Sequence, residues 1–167
     1  MNQDVQEDLS QFLTFRLNEE SFGIDVSKVR EVLDLIEITT VPQTPDYMLG
    51  VVNLRGNVVP VIDLRQRFGL PAAEQTRDSC IVVMEIQIEG EQIVIGALAD
   101  AVEEVLDMSA NDIEAAPRLG AHVNVDFIHG VGKRGEQFVM ILDIDRIFAS
   151  EEVELFQAVR SSDENVA

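Results

Sequence analysis

Residues 50–69 read GVVNLRGNVVPVIDLRQRFG, an apolar run with an arginine, Arg55, in its middle. A guanidinium buried in a strand without a partner is strongly unfavourable. Gly56 offers the alternative, since glycine supplies the positive φ that tight hairpin turns demand. The run then becomes two strands, VVNL and VVPVID, with Arg55-Gly56-Asn57 at the tip and Arg55 projecting from it. Pro60 cannot donate to a ladder and is expected at an edge or a bulge. Further on, Asp63 and Gln66 have the spacing of a capping pair that opens a short helix in DLRQRF.

A second copy of the pattern supports the hairpin. Tyr47, Gly50-Val51, Arg55-Gly56, Asp63-Leu64 and Phe68 recur in order as Phe127, Gly130-Val131, Arg134-Gly135, Asp143-Ile144 and Phe148. Upstream, GIDVSKVREVLD (residues 23–34) matches GALADAVEEVLD (residues 96–107) at Gly, Val, Glu, Val, Leu and Asp. The chain therefore reads as one supersecondary unit used twice. Each unit is about 70–80 residues, close to the smallest that sustains a core alone, so the halves are expected to share an interface. Residues 71–79, PAAEQTRDS, are polar and aperiodic and read as the connection.

Elsewhere strand signals dominate. Leu13, Phe15 and Leu17 alternate with polar neighbours, as do Met84, Ile86 and Ile88 before a turn at Glu89-Gly90. Thr44-Pro45 resembles a helix N-cap followed by a first-turn proline. A longer terminal helix is expected from about Ser150, with Val153, Phe156 and Val159 at helical spacing.

Composition narrows the function. The 167 residues are 46% hydrophobic, enough for a core, and carry 31 acidic against 12 basic residues, a formal net charge of -19. That balance opposes binding to nucleic acid or to an anionic membrane surface. The N-terminal MNQDVQEDLSQ lacks basic residues and an apolar stretch, so no signal peptide is expected. No run approaches the ~18 apolar residues of a membrane span. One cysteine, Cys80, excludes an internal disulfide and fits a reducing, cytoplasmic setting.

Chemical motifs are weak. GVGKRG (residues 130–135) matches a dinucleotide-binding fingerprint in form, but FVMILDI after it reads as a strand where a helix is required. His122 and His129 lack metal-ligand spacing, so neither a metal nor a cofactor is expected. Asp143 and Asp145 could pair as carboxylates, yet Asp143 repeats Asp63 and reads as a cap. Cys80 opens CIVVMEI and reads as a small buried hydrophobe. The residues alone leave Arg55 as either an interface anchor or a solvated loop residue.

Taken together, QFLTFRLNEESFGIDVSKVREV, VPQTPDYMLGVVNLRGNVVPVIDLRQRFG, VIGALADAVEEVLD and GVGKRGEQFVMILDIDRIF resemble the CheW family of bacterial chemotaxis coupling proteins. The resemblance spans residues 11–160 as a single domain. It implies a mostly β fold of two pseudo-symmetric five-stranded SH3-like β-barrels with short helices and a C-terminal helix. Barrel 1 would cover about residues 12–75 and barrel 2 about 76–148, with a terminal strand exchanged, and residues 1–10 and 161–167 would be flexible acidic tails. The family is non-enzymatic. Its members couple the cytoplasmic tip of methyl-accepting chemoreceptors to the regulatory domain of the CheA histidine kinase, in arrays at the inner membrane. Receptor-facing positions carry over to Val29, Glu31, Arg55 and Gly56, with Gly50 shaping the groove. Cys80 falls where relatives carry a β-branched residue near that groove. Ile36, Ile38 and Val41 are the candidates for kinase contact. The alternatives are a coupling protein of another chemosensory pathway, such as surface motility, and a nucleotide-binding domain using GVGKRG.

Overall fold

The computed structural model describes residues 9–70, 75–88, 90–114 and 128–148, together with 154, 156 and 158. The alternating segments form strands β1 (Ser10–Leu17), β2 (Glu20–Asp25), β3 (Val29–Asp34), β4 (Met48–Leu54) and β5 (Asn57–Asp63), followed by the short helix α1 (Leu64–Arg67). The second half gives β6 (Cys80–Ile88), β7 (Glu91–Ala99), β8 (Ala101–Met108), β9 (Ile113–Glu114), β10 (Ile128–Arg134) and β11 (Gln137–Leu142). The fold is mostly β, as the sequence implies.

The strands build two sheets, ordered β3-β6-β7-β5-β4 and β8-β1-β2-β11-β10-β9. In each, the chain leaving one edge strand returns to the opposite edge. After β3 it bridges β4 at Thr39↔Val51, and after β8 it forms β9, which pairs Glu114 with Val131 of β10. Both sheets thereby curl into SH3-like barrels. The β6–β7 hairpin of the second half completes the sheet of β3, β4 and β5, while β1–β2 completes the other. Each half thus lends the other a two-strand hairpin, and residue 75 does not divide the sheets.

The repeat extends to irregularities. Register shifts fall between Val29 and Glu31 on β3 and between Thr14 and Phe15 of the β1–β8 pair, leaving Arg30 and Glu103 as the extra residues. They recur before Gly50 and before Gly130. With the sheet β3-β6-β7-β5-β4 as the first barrel and β8-β1-β2-β11-β10-β9 as the second, one buried cluster draws Phe15, Leu17 and Ile24 from the second and Met84, Ile86 and Ile95 from the first, so the barrels share a core. Each such side chain, fully buried, contributes about 1.5–3 kcal/mol.

Asp63 caps α1, its carboxylate accepting the Arg65 N–H at 3.0 Å. Arg65 is buried and its guanidinium reaches Asp63 (3.1 Å) and Asp100 (3.0 Å). Asp100 also accepts the backbone N–H of Asn18. This ionic group joins α1, the β7–β8 link and the β1–β2 turn.

Several local expectations change. Thr44-Pro45 starts no helix: the Thr44 hydroxyl donates to the Val41 carbonyl and Met48 N–H to the Pro45 carbonyl, making turns. Pro60 lies in β5, an internal strand, immediately before its ladder to β7 begins at Val61, and the bulge is in the facing strand β4. Asp143 opens a 3-10 turn, but its carboxylate meets Arg146 at 3.5 Å and caps no backbone N–H. Of the terminal helix, Glu154, Phe156 and Ala158 are helical, with Phe156 buried edge-on against Phe148. Its other residues, both acidic tails apart from residues 9–10, residues 71–74, Phe127 and His122 lie outside the described residues.

The hairpin tips also differ by one position. Leu54 pairs with Asn57 across the turn Arg55-Gly56, whereas Arg134 pairs with Gln137 across Gly135-Glu136. Arg134 is therefore the structural counterpart of Leu54, at a strand end, and only Arg55 stands on a turn.

Candidate functional site: a groove rimmed by ion pairs

The first barrel carries a second layer of buried valines and isoleucines, Val52, Val59, Val61, Ile81 and Val83, on the sheet face away from the shared core. Among the described residues, the apolar side chains packed on this layer all come from the first barrel. A groove of about 490 Å³ opens over it, lined by Leu54, Val58, Val59, Val83 and Val94 beneath Arg30, Glu31, Arg55 and Asn57; Val59 and Val83 are buried, so its accessible lining is mostly polar.

The rim follows from two backbone irregularities. Arg55 and Gly56 have φ of 52° and 87°, the two positive values of a type I′ hairpin turn. Glycine adopts this at no steric cost, but at Arg55 it is strained by about 1–3 kcal/mol. The Asn53 carboxamide oxygen accepts the Gly56 N–H at 2.9 Å and holds the turn. Arg55 then reaches across to β3 and forks onto both carboxylate oxygens of Glu31, one contact at 3.3 Å. The second irregularity is the β3 bulge, where strict alternation would put Val29 and Glu31 on one face. Instead Val29 pairs with Met84 and packs on the shared core, while Glu31 pairs with Val83 and faces the groove. Arg30, the extra residue, reaches Glu85 at 3.1 Å.

The Glu31 carboxyl is held below the ordinary carboxylate range, first by the hydrogen bond from Arg55, and the Arg55 guanidinium is correspondingly raised. Arg55 keeps 69% of its side chain exposed. Exposed pairs of this kind add little to stability. Its consequence is positional, fixing an exposed guanidinium at the groove rim where an incoming carboxylate can reach it.

The structure thus brings Glu31 and Arg55 to one groove rim, with Gly56 in the turn that carries Arg55. Gly50 sits behind it: a Cβ there would lie 2.1 Å from the Thr39 carbonyl oxygen, so glycine is what lets the returning chain bridge β4. Gly130 stands in the same relation to Glu114. Cys80 is elsewhere, buried in the shared core and paired with Asp34 and Ala99, and burial pushes its thiol pKa up. Ile36 is 40% exposed, Ile38 packs on the groove layer and Val41 on the shared core. Arg30, Val83 and Val94 escaped the sequence reading. A bulge has no composition of its own, and the two valines lie on strands of the second half.

GVGKRG forms β10 and its turn and leads into strand β11, leaving no helix N-terminus for a pyrophosphate. His129 is exposed. Among the described residues no group of three His, Cys, Asp or Glu side chains is placed to hold a metal ion, and no helix is long and apolar enough to cross a membrane.

Comparison with known proteins matches residues 11–152 to the family model of the CheW-like domain. The chain is 34% identical over 152 residues to the chemotaxis protein CheW of Klebsiella aerogenes, covering 91% of this chain and 89% of that protein. It is 35% identical over 145 residues to the chemotaxis protein CheW of Helicobacter pylori, covering 87% and 85%. The crystal structure of the scaffolding protein TtCheW from Thermoanaerobacter tengcongensis superposes with a TM-score of 0.75 at 34% identity, over 84% of this chain and 88% of that one.

Proposed function

The chain belongs to the CheW-like family, and on that premise we propose that it is a non-enzymatic chemotaxis adaptor coupling methyl-accepting chemoreceptors to a CheA-type histidine kinase at the cytoplasmic face of the inner membrane. The observation that carries the receptor half is the exposed Arg55–Glu31 fork on the rim of an open groove. An amphipathic helix docks in such a groove by its apolar face, and a carboxylate on its flank can take the guanidinium from Glu31. Glu31, Arg55 and Gly56 contact the receptor tip. Val29 and Gly50 support them from behind, through core packing and the Thr39–Val51 bridge. Cys80 acts only through the core.

The kinase half rests on β3. Ile36 follows this edge strand with exposed apolar surface, and exposed Val32 lies on it. Ile38 and Val41 anchor the same segment to the two apolar layers, so the kinase contact centres on Ile36. Arg55→Glu tests the receptor half. It should abolish capture of a receptor cytoplasmic tip with an unchanged circular dichroism spectrum, and undiminished capture would refute the assignment.

A further inference from the structure

Every groove-lining position of the first barrel has a counterpart in the second, fixed by strand register. Glu31 faces Val83 and Glu104 faces Thr14; Val61 aligns with Gly96 and Ile141 with Gly23, which sets Val94 against Ser21. Leu54 corresponds to Arg134, Arg55 to Gly135, Asn57 to Gln137 and Arg30 to Glu103. Val59 keeps an apolar counterpart in Val139, but Val83, Val94 and Leu54 are replaced by Thr14, Ser21 and the stem of Arg134.

Those counterparts are the groups that hold Arg134. Its Nη1 donates to Glu103 (3.2 Å), Glu104 (3.3 Å) and the Thr14 hydroxyl (3.5 Å), and its Nη2 to the Ser21 hydroxyl (3.2 Å) and Gln137 (3.3 Å). Thr14 is fully buried, and Ser21 donates in turn to Glu103 at 2.9 Å. Only 20% of the Arg134 side chain is exposed, against 69% for Arg55. One barrel leaves its arginine exposed on a turn; the other folds its arginine in among its neighbours.

We propose that Arg134 is a built-in plug of a second, pseudo-equivalent groove, and that it makes the chain monovalent for the helix that docks on the first barrel. The valency rests on the docking reading above, whereas the plug rests on the second barrel alone. The charge reversal from Arg30 to Glu103 adds to the exclusion, since a carboxylate on a docking helix would meet Glu103 and Glu104 there.

The experiment has one arm for each. The full chain is titrated with the cytoplasmic tip of a chemoreceptor from the same genome: one tip per chain is expected, with no residual binding in Arg55→Glu. Two tips per chain, or a surviving site in Arg55→Glu, would overturn monovalency, while no binding by the unmodified chain would sink the docking reading instead. Separately, Arg134→Ala is melted with and without millimolar methylguanidinium, which stabilises a protein only where it binds the folded state. The variant should melt lower and be partly restored, with the unmodified chain unmoved. An equal response in both, or none in the variant, would overturn the plug. Should the variant not fold, phenylglyoxal modification of the unmodified chain, read by mass spectrometry, decides: Arg134 must react much more slowly than Arg55, and equal rates would refute the proposal.

Discussion

Gly50→Ala is the sharpest test of how the first barrel closes. The added Cβ would lie 2.1 Å from the Thr39 carbonyl oxygen, 2.8 Å from its carbon and 2.9 Å from Ile38 Cγ2, and two of these are backbone atoms that cannot rotate away. The residue also has φ of +149°, a conformation L side chains rarely adopt. Relief requires Thr39 to move off β4, which breaks the two 2.8 Å hydrogen bonds between Thr39 and Val51. Each is worth about 0.5–1.5 kcal/mol net. Backbone strain at a sparsely populated φ adds about 1–3 kcal/mol. The sum is about 2–6 kcal/mol, which for a domain of this size lowers Tm by about 4–24 °C. Urea unfolding should show a reduced midpoint at unchanged m-value. A loss below about 0.5 kcal/mol, the range of ordinary surface substitutions, would refute the view that the Thr39 bridge closes the barrel.

Other consequences are independent of this one. Arg65→Ala leaves Asp63 and Asp100 facing each other without their cation, and should cost about 3–5 kcal/mol in the same unfolding assay. Because the folded Glu31 carboxyl is depressed, its pairing with Arg55 is complete above the ordinary carboxylate range and is lost as pH falls through the lower, folded value. NMR titration should therefore find Glu31 titrating at lower pH in the unmodified chain than in Arg55→Ala. Cys80, buried with its thiol pKa raised, should react with a thiol reagent only on unfolding, and rapid reaction in the native protein would contradict its core position.

Much of this was legible in the sequence because it rests on short-range rules. The Arg55-Gly56 turn needed only a glycine between two apolar runs, and the repeat needed only two matching segments. What escaped depends on pairing between distant strands. Arg134 aligns with Arg55 by sequence, but register puts it one residue earlier, and that step turns an exposed tip into a saturated inward side chain. Arg30 could not be placed, because a bulge is a property of two strands together. Pro60 reads as an edge residue until the ladder to β7 is seen to begin one residue beyond it. Thr44-Pro45 carries a helix start signal, but the chain turns back at Tyr47 into β4, whose Gly50 and Val51 the bridge from Thr39 already engages.

Under the proposed function, the chain joins a receptor to a kinase through separate surfaces. The most direct test of this is reconstitution of kinase autophosphorylation from a CheA-type kinase and chemoreceptor-bearing membranes of the same genome, with and without this protein. The protein should render kinase activity receptor-dependent, and Arg55→Glu should fail to do so while still binding the kinase. Receptor control of the kinase that is unchanged when the protein is left out, or fully supported by Arg55→Glu, would contradict the account.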